Sequence, residues 1–176
     1  MKRLSGAETR EIELEPELER MIGQYGDSLL RMCFLYLRDM RLAEDAVQDT
    51  FIKVYQHYVT FRGNSSEKTW IMRIAINVCK NYLRSSWWKR IDYTAALDQI
   101  PAAEAVQLED DSLLVMIMSL PAKYREVILL YYYQELKIRE IAVVLQLKES
   151  TVSVRLKRAR EKLRIRWEGA EEHDES

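Results

Sequence analysis

The residues from Lys137 to Arg166 read KIREIAVVLQLKESTVSVRLKRAREKLRIR and decide the fold of the C-terminal part of this chain. Apolar residues recur there at helical spacing in two segments: Ile138, Ile141, Ala142 and Leu145 in the first, and Val152, Leu156, Ala159 and Leu163 in the second. This spacing predicts two helices that each present one apolar face. Ser150 or Thr151 suits the N-cap of the second helix, because a hydroxyl oxygen can accept from the amides of the first turn. The stretch therefore predicts a helix-turn-helix.

The outer face of the second predicted helix is basic. Lys148 to Arg166 contains eight basic and two acidic residues, an imbalance that favours phosphate groups as partners. The side chains expected outside the apolar stripe are Thr151, Val154, Arg155, Lys157, Arg158 and Lys162. In the DNA major groove, basic side chains reach phosphates and base edges, and a small apolar one reaches a thymine methyl. The alternative is an amphipathic hairpin whose charges only keep it soluble.

The composition of the whole chain is that of a soluble globular protein. Its 176 residues include 27 basic and 28 acidic ones, and 48% are hydrophobic, enough for one or two small cores. Five glycines and three prolines leave few breaks in long periodic stretches, so we expect an all-α protein. Cys33 and Cys79 predict buried thiols in a reducing cytoplasm rather than a metal site. We expect a cytoplasmic protein without cofactor, signal peptide or membrane span.

We expect three helices in the N-terminal part, over residues 16–38, 39–58 and 67–84, after a flexible lead over residues 1–15. The lead is charged and aperiodic, whereas apolar residues recur at helical spacing in the three later segments. Pro16 suits the first turn of a helix, since proline lacks the amide that this position leaves unbonded. Asp39 suits the N-cap of the second helix, and the turn FRGNSS at residues 61–66 separates it from the third.

The third predicted helix has two opposed faces. Ile71, Ala75, Val78 and Tyr82 form an apolar line, whereas Arg73, Asn77, Lys80 and Arg84 form a polar line flanked by Trp70 and Asn81. Residues 53–90 hold eight basic residues and one acidic residue. Basic and amide groups interleaved with Trp70, Trp87 and Trp88 suit a surface that holds a nucleic-acid backbone and stacks unpaired bases. In the alternative interpretation, Trp70 belongs to the core and the basic face is only hydrated.

Two other segments are acidic. Glu44, Asp45, Gln48 and Asp49 on the second predicted helix form either an ordinary hydrated face or a docking surface for a partner. Residues 91–118 contain six acidic residues and no Lys or Arg, and we expect residues 91–112 to be a linker that its charge keeps off nucleic acid. We then expect a four-helix domain over residues 113–168, with Pro121 at the first position of a helix, and an acidic tail over residues 169–176.

Five motifs, in this order, resemble the two domains of bacterial sigma factors, and the lack of a domain between them resembles the extracytoplasmic-function (ECF) group. They are DAVQDTF (45–51), the FRG turn (61–63), TWIMRIAINVCKNYLR (69–84), LPAKYREVILL (120–130) and EIAVVLQLKESTVSVRLKRAREKL (140–163). The resemblance implies a transcription initiation subunit, not an enzyme, that binds core RNA polymerase and promoter DNA. It also implies an anti-sigma partner, membrane-bound or not, with no membrane insertion of the chain itself.

The resemblance assigns roles to individual positions within a first domain over residues 16–90 and a second over residues 113–168. For binding core polymerase they are Asp45, Gln48, Asp49, Phe51, Ile52 and Tyr55. For melting and reading the −10 promoter element they are Arg62, Asn64, Trp70, Arg73, Asn77, Lys80, Asn81 and Arg84. For reading the −35 element they are Thr151, Ser153, Val154, Arg155, Lys157 and Arg158.

The turn of the helix-turn-helix departs from the family pattern. Gln146 stands where family members commonly have glycine. Left-handed backbone angles would cost a non-glycine residue on the order of 1 kcal/mol. A turn of different shape is the alternative.

Two other functions stay open from the sequence. A conventional helix-turn-helix regulator would bind its operator unaided, whereas a sigma factor opens promoters only together with core polymerase. A nucleic-acid enzyme would need a nucleophile with its base or a phosphate-binding glycine loop, and we find neither pattern in the sequence.

Overall fold

The computed structural model describes residues 6–84 and 111–174. Within these ranges the helices are α1 (Gly6–Leu37), α2 (Met40–His57), α3 (Glu67–Arg84), α4 (Asp111–Ser119), α5 (Ala122–Ile128), α6 (Ile138–Leu145) and α7 (Glu149–Asp174). A 3₁₀ turn, Tyr58–Thr60, follows α2, and a π-helical turn, Leu129–Tyr133, continues α5. No strand occurs in the described ranges, and the predicted all-α class is confirmed. Most of the predicted linker and the Trp87–Trp88 pair lie outside the described residues.

The N-terminal module consists of α1, α2 and α3 packed around an apolar core. Asp39 caps α2 as predicted, because its Oδ1 accepts the Leu42 N–H at 3.0 Å. The three helices contribute fully buried side chains to the core, among them Met32, Ala46, Val54, Ile71 and Ala75. The predicted third helix has the observed bounds of α3.

The start of α1 differs from the prediction. The helix begins at Gly6, so residues 6–15 are helical and Pro16 lies inside the helix instead of starting it. Residues 7–15 are rich in Ala, Glu, Arg and Leu, which have high helix propensity. That propensity can extend a helix across a proline, which forfeits one backbone hydrogen bond. The predicted flexible lead is therefore wrong for the described residues 6–15.

The C-terminal module consists of α4 to α7. Arg125 on α5 bonds to the backbone at the end of α4. Its Nη1 donates to the Met118 carbonyl at 2.9 Å and to the Leu120 carbonyl at 3.4 Å. Both α5 and α6 pack against α7. The predicted apolar faces of the helix-turn-helix are confirmed: Ile141, Ala142, Leu145, Val152, Leu156 and Ala159 are buried, and Ile138 and Leu163 are partly buried.

Two helix starts in this module are shifted by one or two residues from the prediction. Pro121 is the N-cap of α5 rather than its first residue. The last helix begins at Glu149, so Ser150 and Thr151 lie in its first turn and do not cap it. The Val152 N–H already bonds to the Lys148 carbonyl at 3.1 Å. The acidic Glu149 suits this earlier start, because negative charge is favoured at a helix N-terminus.

The two modules pack directly against each other, which the sequence analysis did not predict. Helix α3 contacts α6, and α1 contacts α5 and the π-helical turn. One face of α3 carries Thr69, Met72, Ile76 and Lys80 at three- and four-residue spacing, and the first three are buried. Near the two ends of this face, Lys68 Nζ donates to the Gln134 carbonyl at 2.6 Å and Lys80 Nζ lies 3.4 Å from Glu126 Oε2. Met72 and Ile76 thus form a second apolar line of α3, beside the polar line.

Candidate nucleic-acid interface

The polar line predicted on α3 lies mostly on the surface. Its exposed members, with the exposed residues of the preceding turn and Asn81, are Arg62, Asn64, Arg73, Asn77, Asn81 and Arg84. On another face of α3, Ile71, Ala75 and Val78 are buried in the core. Their burial fixes the rotation of the helix about its axis, because apolar area is removed from water only in that orientation. The polar residues of α3 are therefore held outward.

Trp70 contributes to packing as well as to this surface. Its ring stacks on Phe61 with 4.8 Å between centroids and 25° between planes, and lies 6.4 Å from the Tyr58 ring. The turn before α3 reverses at Gly63, whose φ of 69° is in the left-handed region that glycine adopts without strain. Trp70 is partly buried, so only part of its surface is accessible to a base.

Lys80 differs from the rest of the polar line because it lies in a polar cluster around Glu126. The Glu126 carboxylate, only 6% exposed, pairs with Lys80 Nζ at 3.4 Å and accepts from Tyr36 Oη at 3.2 Å and Arg155 Nη1 at 2.9 Å. Burial and the Glu126 charge raise the pKa of Tyr36. Sequence reasoning missed Glu126, although an acid inside the apolar stretch YREVILL (124–130) is a signal for a buried ion pair.

The predicted recognition residues lie largely on the outer face of α7. Ser153, Val154, Lys157 and Arg158 are exposed, whereas Thr151 and Arg155 are partly buried. Val154 is 49% exposed although it is apolar. The Ser153 hydroxyl donates to the Glu149 carbonyl at 3.0 Å, within its own helix. Arg155 is turned to Glu126, so the structure separates it from the other basic residues of this face.

The turn between α6 and α7 has the left-handed geometry that glycine favours. Gln146 adopts φ 57° and ψ 47° at the C-cap of α6, and its N–H bonds to the Ala142 carbonyl. The Leu147 N–H bonds to the same carbonyl at 2.9 Å. Because Gln146 accepts these angles, the alternative of a differently shaped turn is wrong. The residue carries a backbone strain on the order of 1 kcal/mol.

The positions expected to bind polymerase separate into an exposed and a buried set. Asp45, Gln48, Asp49 and Ile52 are exposed, and Tyr55 is partly buried. Ile52 is 54% exposed, whereas Phe51 is 7% exposed and belongs to the core. The ring of Phe51 is thus packed inside the module, which does not fit a direct contact with a partner. Tyr82 Oη donates to Asp49 Oδ2 at 3.0 Å, and burial together with this bond raises the pKa of Tyr82 to about 12.

The two cysteines are free and fully buried, with 3.6 Å between Cys79 Sγ and Cys33 Sγ. The hydrogen bond with Cys79 and burial raise the pKa of Cys33 well above its usual range. No three His, Cys, Asp or Glu side chains of residues 6–84 and 111–174 are grouped so that they could hold a metal ion. None of the described helices is long and apolar enough to cross a membrane.

The chain has two helical modules, and the second contains a helix-turn-helix. Each module has an exposed polar or basic face. These features define a DNA-binding protein with two contact surfaces. Comparison with known proteins narrows this class. Family profiles match the chain as Sigma-70 region 2 over residues 21–89 and as Sigma-70, region 4 over residues 110–163.

Similar proteins match most of the chain. It is 33% identical over 158 residues to the ECF RNA polymerase sigma factor SigW of Bacillus subtilis, with 80% of this chain and 83% of that one covered. It is 33% identical over 156 residues to the RNA polymerase sigma-H factor of Pseudomonas aeruginosa, with 80% and 81% covered. The solved sigma factor RpoE from Bartonella quintana, in complex with the anti-sigma factor NepR, shares the fold with a TM-score of 0.70 at 20% identity, covering 84% and 94%. CnrH, in complex with the cytosolic domain of CnrY, gives a TM-score of 0.65 at 22% identity, covering 86% and 88%.

The chain belongs to the sigma-70 family of RNA polymerase sigma factors, within the ECF group. It is a transcription initiation factor that directs core RNA polymerase to promoters. The resemblance drawn from the sequence motifs is confirmed. The family assignment therefore favours a sigma factor over the alternative interpretation as a conventional helix-turn-helix regulator.

Proposed function

We propose a division of labour in which α3 and the turn before it melt and read the −10 element, α7 reads the −35 element, and α2 binds core polymerase. The observation that carries this proposal is the exposure of polar side chains on α3 and α7 above apolar faces that are buried. Basic side chains of such a face neutralise phosphates, and its amides bond to base edges.

The −10 function rests on the mixture of amide and basic groups on α3. Asn77 and Asn81 are exposed between Arg73 and Arg84 on the same helix. When a duplex opens, each base loses its pairing partner and its stack, and amide groups can replace part of the lost hydrogen bonding. The stacked rings of Phe61 and Trp70 lie at the start of this face and give an unpaired base an aromatic neighbour.

The −35 function rests on the outer face of α7. Arg158 and Lys157 are exposed one turn beyond Ser153 and Val154. A guanidinium can bond in bidentate fashion to guanine, and an exposed valine can contact a thymine methyl group. In the free protein, the exposed Val154 side chain gains no free energy from burial, whereas contact with a thymine methyl group would remove part of its apolar area from water.

The polymerase function rests on Ile52 and its neighbours on α2. This exposed isoleucine lies on a face with Asp45 and Gln48. A large apolar side chain surrounded by polar and acidic groups suits a partner with an apolar pocket and a polar or basic rim. We assign Phe51 to positioning α2 from within the core rather than to a contact.

We further propose an anti-sigma partner and action in the cytoplasm, where core polymerase is found. The solved relatives RpoE and CnrH support the partner, since each was determined in complex, RpoE with an anti-sigma factor. Helix α4 begins at Asp111, two residues before the predicted start of the second domain. We therefore keep residues 91–110 as the linker between the two DNA-binding modules and residues 169–176 as an acidic end of the chain, on the basis of their composition.

Run-off transcription with purified components tests the proposed function. The chain with core RNA polymerase should yield specific transcripts from promoter DNA, and neither component alone should do so. A matched control is Arg31→Ala, which removes an exposed arginine on α1 outside the proposed surfaces. Tight, polymerase-independent protection of an operator by the chain alone would argue for a conventional regulator instead.

A further inference from the structure

The Glu126 cluster joins the two modules at residues that the proposed function assigns to DNA. Arg155 on α7 and Lys80 on α3 both bind this one carboxylate, at 2.9 Å and 3.4 Å. A carboxylate as buried as that of Glu126 keeps its charge only when cations or donors surround it. One cation from each predicted DNA surface thus pairs with this carboxylate, Lys80 across the interface and Arg155 within the C-terminal module.

Beside the buried Met72 and Ile76, the contact between the modules contains further polar groups. Gln134 Nε2 donates to the Ser28 carbonyl at 2.9 Å, and Thr69 Oγ1 donates to Glu140 Oε1 at 3.0 Å. Gln134 is 2% exposed, and its Oε1 has no hydrogen-bond partner among the described residues. Interfaces between the domains of one chain resemble transient protein contacts, so relative motion of the two modules is expected.

Promoter geometry is incompatible with this contact. The −10 and −35 elements are centred about 25 base pairs apart, which is about 85 Å of B-DNA at about 3.4 Å per base pair. Helices α3 and α7 are instead bridged by a single side chain, Glu126. A chain in this conformation cannot have one module on each element.

We propose that Glu126 is a latch that holds the free protein closed and competes with DNA phosphates for Lys80 and Arg155. Opening separates Lys80 on α3 from Glu126, whereas Arg155 lies in the same module as Glu126 and is freed only when a phosphate displaces the carboxylate. The competition rests on the proposed function of the two cations. The closed state rests only on the contacts across the interface.

Distances between spin labels on the two modules test the latch without any DNA. Gln56→Cys on α2 and Glu161→Cys on α7 introduce exposed thiols, while Cys33 and Cys79 are fully buried and stay unlabelled. The otherwise unchanged chain should give one short-distance population. Adding Glu126→Gln should raise the long-distance fraction several-fold. Lys80→Met, which removes the partner on α3 and leaves the C-terminal module intact, should do the same.

Salt-dependent DNA binding tests the competition. With a duplex of random sequence, each freed cation that meets a phosphate adds about 0.9 to the slope of log K against log salt. Glu126→Gln should therefore steepen the slope by up to about two for the free protein. Glu19→Gln, an exposed site on α1 with the same change of charge, should leave both the slope and the distances unchanged.

The outcomes separate the latch from the proposed function. Unchanged distances in both Glu126→Gln and Lys80→Met would overturn the latch, whatever the transcription assays give. Longer distances without a steeper slope would overturn the competition, and with it the DNA roles of Lys80 and Arg155. Both effects together, absent in Glu19→Gln, would support the whole proposal.

Discussion

Thr69 on α3 donates its hydroxyl to Glu140 on α6 at 3.0 Å, so a carboxylate of the helix-turn-helix is bonded to the helix that we propose for the −10 element. The same carboxylate accepts the Lys137 N–H at 2.9 Å and so caps the start of α6. Glu140 therefore stabilises its own helix and the contact between the modules at once.

Replacing Glu140 with Gln should lower the free energy of unfolding by about 1 kcal/mol at pH 7. The bond from the Lys137 backbone, with those from Thr69 and Ser66, lowers the pKa of Glu140 below its ordinary value of 4.5. The unfolded chain thus takes up the proton first as the pH falls. The stabilisation is fully present above pH 4.5 and is lost as the pH falls through the lowered pKa.

Urea unfolding of both proteins between pH 7 and pH 3 measures this effect. The difference between the native protein and Glu140→Gln should be largest at neutral pH and shrink in acid. Glu19→Gln, exposed on α1, serves as the control for loss of a carboxylate. A difference that is constant across the pH range would contradict the assigned role of the Glu140 charge.

Replacing Gln146 with Gly should stabilise the chain by roughly 0.5–1 kcal/mol, because glycine adopts the left-handed angles without strain. Part of the gain is offset by the greater freedom of glycine in the unfolded chain. Gln146→Ala keeps the strain and should change the unfolding midpoint little. A lower midpoint for Gln146→Gly would show that the Gln146 side chain, exposed at the C-cap of α6, makes a contribution larger than its strain.

Replacing Ile52 with Ala should weaken the binding of core polymerase about tenfold, in the range expected for an apolar anchor at an interface. Fluorescence anisotropy of the labelled chain with core polymerase measures the dissociation constant. Ile165→Ala removes another exposed isoleucine, from the C-terminal half of α7, and is the matched control. Equal loss of affinity in both variants would contradict the assignment of α2 as the docking surface.

The thiols of Cys33 and Cys79 should react with Ellman's reagent at least about tenfold more slowly in the native chain than in the unfolded chain. Both are fully buried, and the pKa of Cys33 is raised, so little thiolate is available. The exposed thiol introduced by Glu161→Cys should react at the rate of a free cysteine. Rapid native-state reaction of the two natural thiols would show that the N-terminal module opens readily.

The elements of the fold that follow from local rules could be predicted from the sequence. Apolar spacing located α3, α6 and α7, and Asp39 marked the start of α2, because amphipathic periodicity and capping depend only on neighbours along the chain. The start of α1 was not predicted, because two local preferences compete there. Residues 7–15 favour a helix, whereas proline is disfavoured inside one, and the sequence pattern does not show which preference is stronger.

The contact between the modules could not be predicted in the same way. Tyr36 and Glu126 are 90 residues apart and yet bonded at 3.2 Å, and no periodicity connects positions at that distance. Two signals were nonetheless present: Met72 and Ile76 form an apolar line beside the polar one, and Glu126 stands within an apolar stretch. The same interface explains why Lys80, assigned to DNA from the motifs alone, is engaged elsewhere in this conformation, whereas Arg155 pairs with Glu126 inside the C-terminal module.

The two modules are proposed to contact different elements of one promoter. The most direct test probes promoter complexes of the reconstituted polymerase with permanganate and DNase I. Asn77→Ala should keep the upstream footprint and lose most of the permanganate-reactive thymines at the −10 element. Arg158→Ala should weaken the upstream footprint by about tenfold, the effect of losing one base contact. If both variants lose protection and opening to the same extent, while Arg31→Ala retains both, the proposed division between α3 and α7 is contradicted.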